Sequence, residues 1–82
     1  MSEQYQAPTV KKTFQILRLI SERDQGARIS DLSEKLKISK STVHGIASAL
    51  ERIGAVIRDP STKRYVLGVT LFELGKSAFS RI

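Results

Sequence analysis

The sequence predicts a mainly α-helical fold carrying one small β-hairpin, and three observations predict it. Apolar residues recur at three- and four-residue intervals in four separate stretches, the rhythm of helices turning one side to a core. Between the third and fourth stretch, two short β-branched runs flank the turn formers Asp59-Pro60-Ser61-Thr62-Lys63. The chain has 82 residues, enough for one modest core that takes about 60% of the unfolded chain's surface out of water.

Residues 1–8 are expected to form a disordered arm: residues 2–7 are polar, and Pro8 suits the start of a helix. The first helix is expected over residues 9–23. Val10, Phe14 and Leu17 form one stripe on it, and Ile16, Leu19 and Ile20 widen that stripe beyond a single core-facing side. Asp24-Gln25-Gly26 ends the helix, and Ala27-Arg28-Ile29 is a short extended piece. Ser30 is the expected N-cap of a second helix over residues 31–37, with Leu32 and Leu36 turned inward. Asp31 and Glu34 stand in its first turn, where the helix dipole favours acids. Ile38 is the apolar residue of the following turn, a turn without the glycine often found between two such helices.

The third helix, residues 39–53, is the one the chain is organised around. At about 100° per residue, Val43, Ile46, Ala47, Leu50 and Ile53 fall on one side. Lys40, Ser41, His44, Gly45, Ser48 and Arg52 fall on the other. Exposed helix faces are usually filled with Glu and Lys. This one carries short hydroxyls, one imidazole and a glycine near its start, groups that suit close approach to a surface rich in acceptors. Ser39 is placed to cap it, and Gly54 stands just past its end.

The hairpin follows, with expected strands at residues 55–58 and 64–67 and basic residues Arg58, Lys63 and Arg64 at its base and tip. A helix pair followed by such a hairpin is a winged helix-turn-helix: a three-helix core, the wing, and then a C-terminal helix. Thr70 and Glu73 have capping-box spacing and start that last helix. Leu71, Phe72, Leu74, Ala78, Phe79 and Ile82 cover more of it than so small a core requires. The first helix is over-wide in the same way. These spare faces are expected to meet in a homodimer or against a further domain.

The charge points to a polyanion. The net charge is +6, and residues 35–68 hold seven basic residues against two acidic ones. With no Cys and one His, disulfides and thiolate metal sites are excluded, no cofactor is expected, and a reducing compartment is the simplest setting. No apolar run is long enough to span a membrane, and residues 1–6 lack the apolar core of a secretion signal.

The segments T-F-Q-I-L-R-L-I at 13–20, I-S-D-L-S-E-K-L at 29–36, S-K-S-T-V-H at 39–44 and L-E-R-I-G at 50–54 carry a family resemblance. So, more distinctively, do R-Y-V-L-G at 64–68 and L-F-E-L-G at 71–75. Over residues 10–75 the chain resembles the N-terminal DNA-binding domain of the IclR family of bacterial transcriptional regulators. The resemblance implies a cytoplasmic, nucleoid-associated, homodimeric repressor or activator. It places the winged helix-turn-helix at 9–68 and the start of a linker helix at 69–82. That linker leads to an effector-binding domain, not present in these residues, which takes a small molecule. Gly45 departs from the family, which often has Arg after the His of this helix.

In this reading the third helix enters a major groove of double-stranded DNA with its start nearest the base edges. Ser41, Thr42 and His44 are the candidates for base readout, Thr42 being nearest the edge of the exposed face. Lys40 reaches guanine or phosphate, and the N–H groups near Ser39 and near Ser30 suit phosphate. Gly45 and Ser48 complete the face. Arg58, Lys63 and Arg64 hold the wing to the backbone or minor groove, and Arg28 is a further phosphate candidate. A catalytic reading of Ser41, His44 and Glu51 finds no Gly-rich elbow and no pocket that excludes water. The alternative of a protein-binding winged helix would favour apolar or acidic groups where these hydroxyls stand. RNA binding would call for aromatic residues clustered on one strand face, which Tyr5, Phe14, Tyr65, Phe72 and Phe79 are not.

Overall fold

The computed structural model describes residues 6–82. Residues 1–5 of the expected arm lie outside the described residues, and Pro8 is already the first residue of α1. The order is α1 (Pro8–Ser21), α2 (Ile29–Leu36), α3 (Lys40–Arg52), β1 (Val56–Arg58), β2 (Tyr65–Leu67) and α4 (Val69–Phe79). The core joins Ile16, Leu17, Leu19 and Ile20 of α1 to Leu32 of α2, Ile38 of the turn, and Val43, Ile46, Ala47 and Leu50 of α3. Val56 and Tyr65 close it from the hairpin. Val10 and Phe14 do not join the stripe that includes Leu17: they are 54% and 56% exposed, on the part of α1 that extends beyond the core. Ile53 is likewise 65% exposed rather than inward, because it caps the C-terminal end of α3 past the last core turn.

Each helix junction is fixed by local chemistry. α1 ends at Ser21, two residues before the expected limit. α2 begins two residues earlier than predicted, and Ser30 lies inside it rather than capping it. Arg28 is the N-cap, and the Asp31 carboxylate accepts the Arg28 backbone N–H at 3.0 Å, one half of a capping box. The turn lacking glycine is made by Lys37, whose backbone is left-handed at φ 61°. That conformation costs a residue with a Cβ about 1–2 kcal/mol. It is held by Ile38 N–H donating to Ser33 O at 3.2 Å, the six-residue bond of a Schellman motif, while the Ser33 hydroxyl donates to Ile38 O.

α3 keeps both predicted ends. Ser39 Oγ accepts the Thr42 N–H at 3.3 Å, and Gly54 takes φ 79°. Gly54 N–H then reaches Glu51 O at 3.1 Å and Ala55 N–H reaches Leu50 O at 2.9 Å, closing a second Schellman motif.

The capping box predicted for α4 does not form. The helix begins at Val69, and Thr70 Oγ1 donates instead to Ile53 O at 2.9 Å, tying the start of α4 to the end of α3. Of its apolar residues, Leu71 packs against the core, while Phe72, Leu74 and Phe79 are exposed.

The hairpin is antiparallel, pairing Val56 with Leu67, Ile57 with Val66 and Arg58 with Tyr65. It is also stitched to the loop after α1. Ala27 and Tyr65 exchange two backbone hydrogen bonds of 3.0 and 2.8 Å, so the expected extended piece becomes a one-residue third strand. Gly26 makes this approach possible, since a Cβ there would stand 2.2 Å from Tyr65 O.

Candidate nucleic-acid interface

α3 is the wall that positions the site. Its buried residues face the core, and three lines of outward residues result from its turn of about 100° per residue. Lys40, His44 and Ser48 run along the side toward the wing, and Glu51 continues that line. Ser41 and Gly45 lie nearest the middle of the exposed face. Thr42, half-buried, lies on the side toward α1.

The wing side is a concave groove of about 500 Å³. Lys40, His44, Ser48 and Glu51 form one wall, Arg58, Lys63 and Tyr65 the other, and Arg28, Ile29 and Ser30 at the start of α2 close one end. Four of these side chains carry fixed positive charge, from the N-cap of α2, from α3, from β1 and from the turn between strands. Such convergence concentrates positive potential in a cleft.

The wing's turn is fastened from within. Asp59 Oδ1 accepts from Ser61 N–H at 2.8 Å, Ser61 Oγ at 2.8 Å and Thr62 N–H at 3.2 Å. The Ser61 hydroxyl bond, helped by the two backbone N–H groups, holds the Asp59 carboxyl below its ordinary range. Asp59 N–H donates to Arg64 O at 2.9 Å and Lys63 N–H to Asp59 O at 2.7 Å, with Lys63 left-handed at φ 64°. Arg28 Nε donates across the groove's end to Thr62 O at 2.9 Å.

The structure therefore gathers Arg28, Lys40, His44, Ser48, Arg58 and Lys63 around one groove. Ser41, Thr42 and Gly45 instead line a second, largely apolar groove of about 370 Å³ with Thr9, Thr13 and Ile53, between α1 and α3. Ser39 is engaged as the helix cap, its Oγ also 3.0 Å from Thr42 Oγ1. Arg64 stands apart from the wing-side groove. It lines the outer side of the hairpin with Ile57 and Val66, where strand alternation turns the neighbours of Tyr65. Glu51 and Tyr65 were not among the predicted site residues, whereas Ser30 was expected only through its backbone N–H. The helical step from Lys40 through His44 and Ser48 points to Glu51. Nothing in the sequence signals that Tyr65 lines the groove.

Comparison with known proteins gives this geometry a family. The model of the IclR helix-turn-helix domain matches residues 9–60. The HTH-type transcriptional regulator XynR of Escherichia coli is 34% identical over 67 residues, covering 82% of this chain and 27% of that protein. The glycerol operon regulatory protein of Streptomyces griseus is 33% identical over 69 residues, covering 84% and 27%. The chain thus spans about a quarter of the length of these relatives. A crystal structure of an IclR transcriptional regulator from Alicyclobacillus acidocaldarius superposes with a TM-score of 0.83 at 33% identity, over 90% of this chain and 30% of that one. These relatives are transcriptional regulators rather than enzymes, and the chain belongs to the IclR helix-turn-helix family.

Proposed function

We propose that this chain reads double-stranded DNA in a sequence-specific manner, as the DNA-binding domain of an IclR-type regulator in the bacterial cytoplasm. The single observation that carries the reading is the groove in which Arg28, Arg58 and Lys63 converge on Lys40, His44 and Ser48 of α3. A major groove about 12 Å wide admits one helix. With α3 seated in it, Ser41 and His44 are the side chains for base edges, with Thr42 at the margin near α1 and Ser48 behind them. Lys40 takes guanine or phosphate. Arg28, Arg58 and Lys63 hold the phosphate backbone on the wing side. Arg64, on the outer side of the wing, serves a strand or minor groove beyond the one that holds α3. Ser39 acts through its cap, which orients the first N–H groups of α3 toward phosphate.

The exposed apolar residues Val10 and Phe14 of α1 and Phe72, Leu74 and Phe79 of α4 suit a homodimer through the first and last helices. Residues 69–82 then begin a linker toward a domain that binds a small-molecule effector. A monomer in sedimentation at tens of micromolar counts against that dimer.

Selection of binding sites from a random duplex pool tests the DNA reading, with amide shifts of residues 40–48 followed on titration. Enrichment of a defined sequence together with shifts along α3 is the expected result. No enrichment, and no shift at low ionic strength, overturns it.

A further inference from the structure

We infer that Arg28 is a positioning residue that straps the wing to the start of α2 and so sets the width of the groove. The inference rests on the DNA reading for its consequence but on geometry for its content. Arg28 and Thr62 are 34 residues apart, yet Arg28 Nε donates to Thr62 O at 2.9 Å. Both ends of this strap are themselves held. The Arg28 backbone N–H is taken by Asp31 at the first turn of α2. Thr62 N–H is taken by Asp59, and Thr62 Oγ1 accepts the N–H of Arg64. The bond thus joins two rigid units, the helix pair and the wing turn, across the end of the groove.

A guanidinium has five N–H donors in a planar fork, and the strap uses one. The remaining four are not used by the strap, and Arg28 lines the groove with Lys40 and Lys63. One side chain therefore does two things. It fixes the wing relative to α3 before DNA arrives, and it presents charge to a phosphate from a position that the strap determines. The neighbouring stitch between Ala27 and Tyr65 anchors the base of the wing only. Among the described side-chain hydrogen bonds, the Arg28 bond is the one that reaches the wing turn from outside it.

The substitutions Arg28→Lys and Arg28→Ala separate strap from charge. Lys keeps the charge but lacks the planar fork and its Nε. In the free protein, both variants are expected to speed amide exchange of residues 62–64 several-fold while leaving exchange in α1 unchanged. On the duplex recovered by selection for the wild-type chain, against poly(dI·dC), both are expected to lose about tenfold in discrimination, the equivalent of one charge-assisted hydrogen bond. Only Arg28→Ala should lower the salt slope, by about one. Discrimination by Arg28→Lys equal to wild type, or unchanged exchange at residues 62–64 in Arg28→Ala, overturns the strap. Failure of the wild-type chain to bind any duplex would instead sink the DNA reading and leave the exchange result to decide the strap.

Discussion

Gly45→Ala tests the interface most sharply, because its effects on the free and bound protein have opposite sign. Glycine inside a helix is about 0.8–1.0 kcal/mol less favourable than alanine. A glycine usually survives there because a Cβ would strike a neighbour. At Gly45 a Cβ would meet nothing within 4 Å, so the protein itself gives no reason for its absence. The substitution should therefore stabilise the free domain by about 1 kcal/mol, raising the melting temperature by about 4–8 °C for a domain of this size. Bound to DNA, the same methyl group stands on the outward face of α3, between Ser41 and Ser48. If α3 lies deep in the groove there, the added carbon lifts the helix and lengthens the hydrogen bonds of both serines. Loss of one such base contact is about 1–3 kcal/mol, roughly tenfold or more in affinity for the selected site. Binding to random duplex, which rests on phosphates, should barely change. Thermal melts followed by circular dichroism and fluorescence anisotropy on the two duplexes measure both sides. A variant that is more stable and binds the selected site as tightly as wild type refutes the close approach. A less stable variant refutes the empty space beside Gly45.

Three further outcomes follow from the same geometry. Ser41→Ala should flatten preference at one base pair by about 1–3 kcal/mol, and equal losses on selected and random duplexes would remove Ser41 from readout. Lys63→Ala should weaken all duplexes alike and lower the salt slope by about one; an unchanged slope would take Lys63 off the phosphates. Because hydrogen bonds from Ser61 and Thr62 depress the Asp59 carboxyl in the folded state, the order they lend the wing turn is present above its unfolded value and lost as pH falls through the folded one. Acid titration should therefore move the Ser61 and Thr62 amides below the usual carboxylate range, and movement centred on the ordinary aspartate value would contradict it.

Periodicity carried most of the fold. The inward residues Val43, Ile46, Ala47 and Leu50 of α3, its Ser39 cap, the Gly54 stop and the two strands were legible because each depends on neighbours within one turn or one pleat. Of the misread features, one depends on a residue far away in sequence and the others on local bonds that compete with the expected ones. Thr70 has the spacing of a cap, but it lies inside α4, and its hydroxyl donates to the carbonyl of Ile53 at the end of α3. Ser30 has the identity of a cap, but the N-cap is Arg28, two residues earlier, whose backbone N–H is taken by Asp31. Lys37 fills a place where glycine was expected, because bonds from Ser33 and Ile38 on both sides hold the strained backbone. The site divides in the same way. The helical step places Lys40, His44 and Ser48 together, whereas Arg28 and Lys63 meet them only through the fold, and strand alternation turns Arg64 away from both.

That division has a physical logic. Affinity for a phosphate chain tolerates positional slack, since charge acts over about 8–10 Å at moderate salt. Base readout does not, since a hydrogen bond weakens steeply within a few tenths of an ångström and with misalignment. The backbone around α3 is accordingly held at several points. Its start is capped by Ser39, its end is locked by a Schellman motif and by Thr70, and the wing beside it is stitched at Ala27 and strapped at Arg28. The side chains on its outward face are short, Ser41, Thr42, Gly45 and Ser48, so they have little conformational entropy to lose and little reach. Short readers need a helix delivered to the right depth, and a rigid frame with a fixed wing supplies that depth.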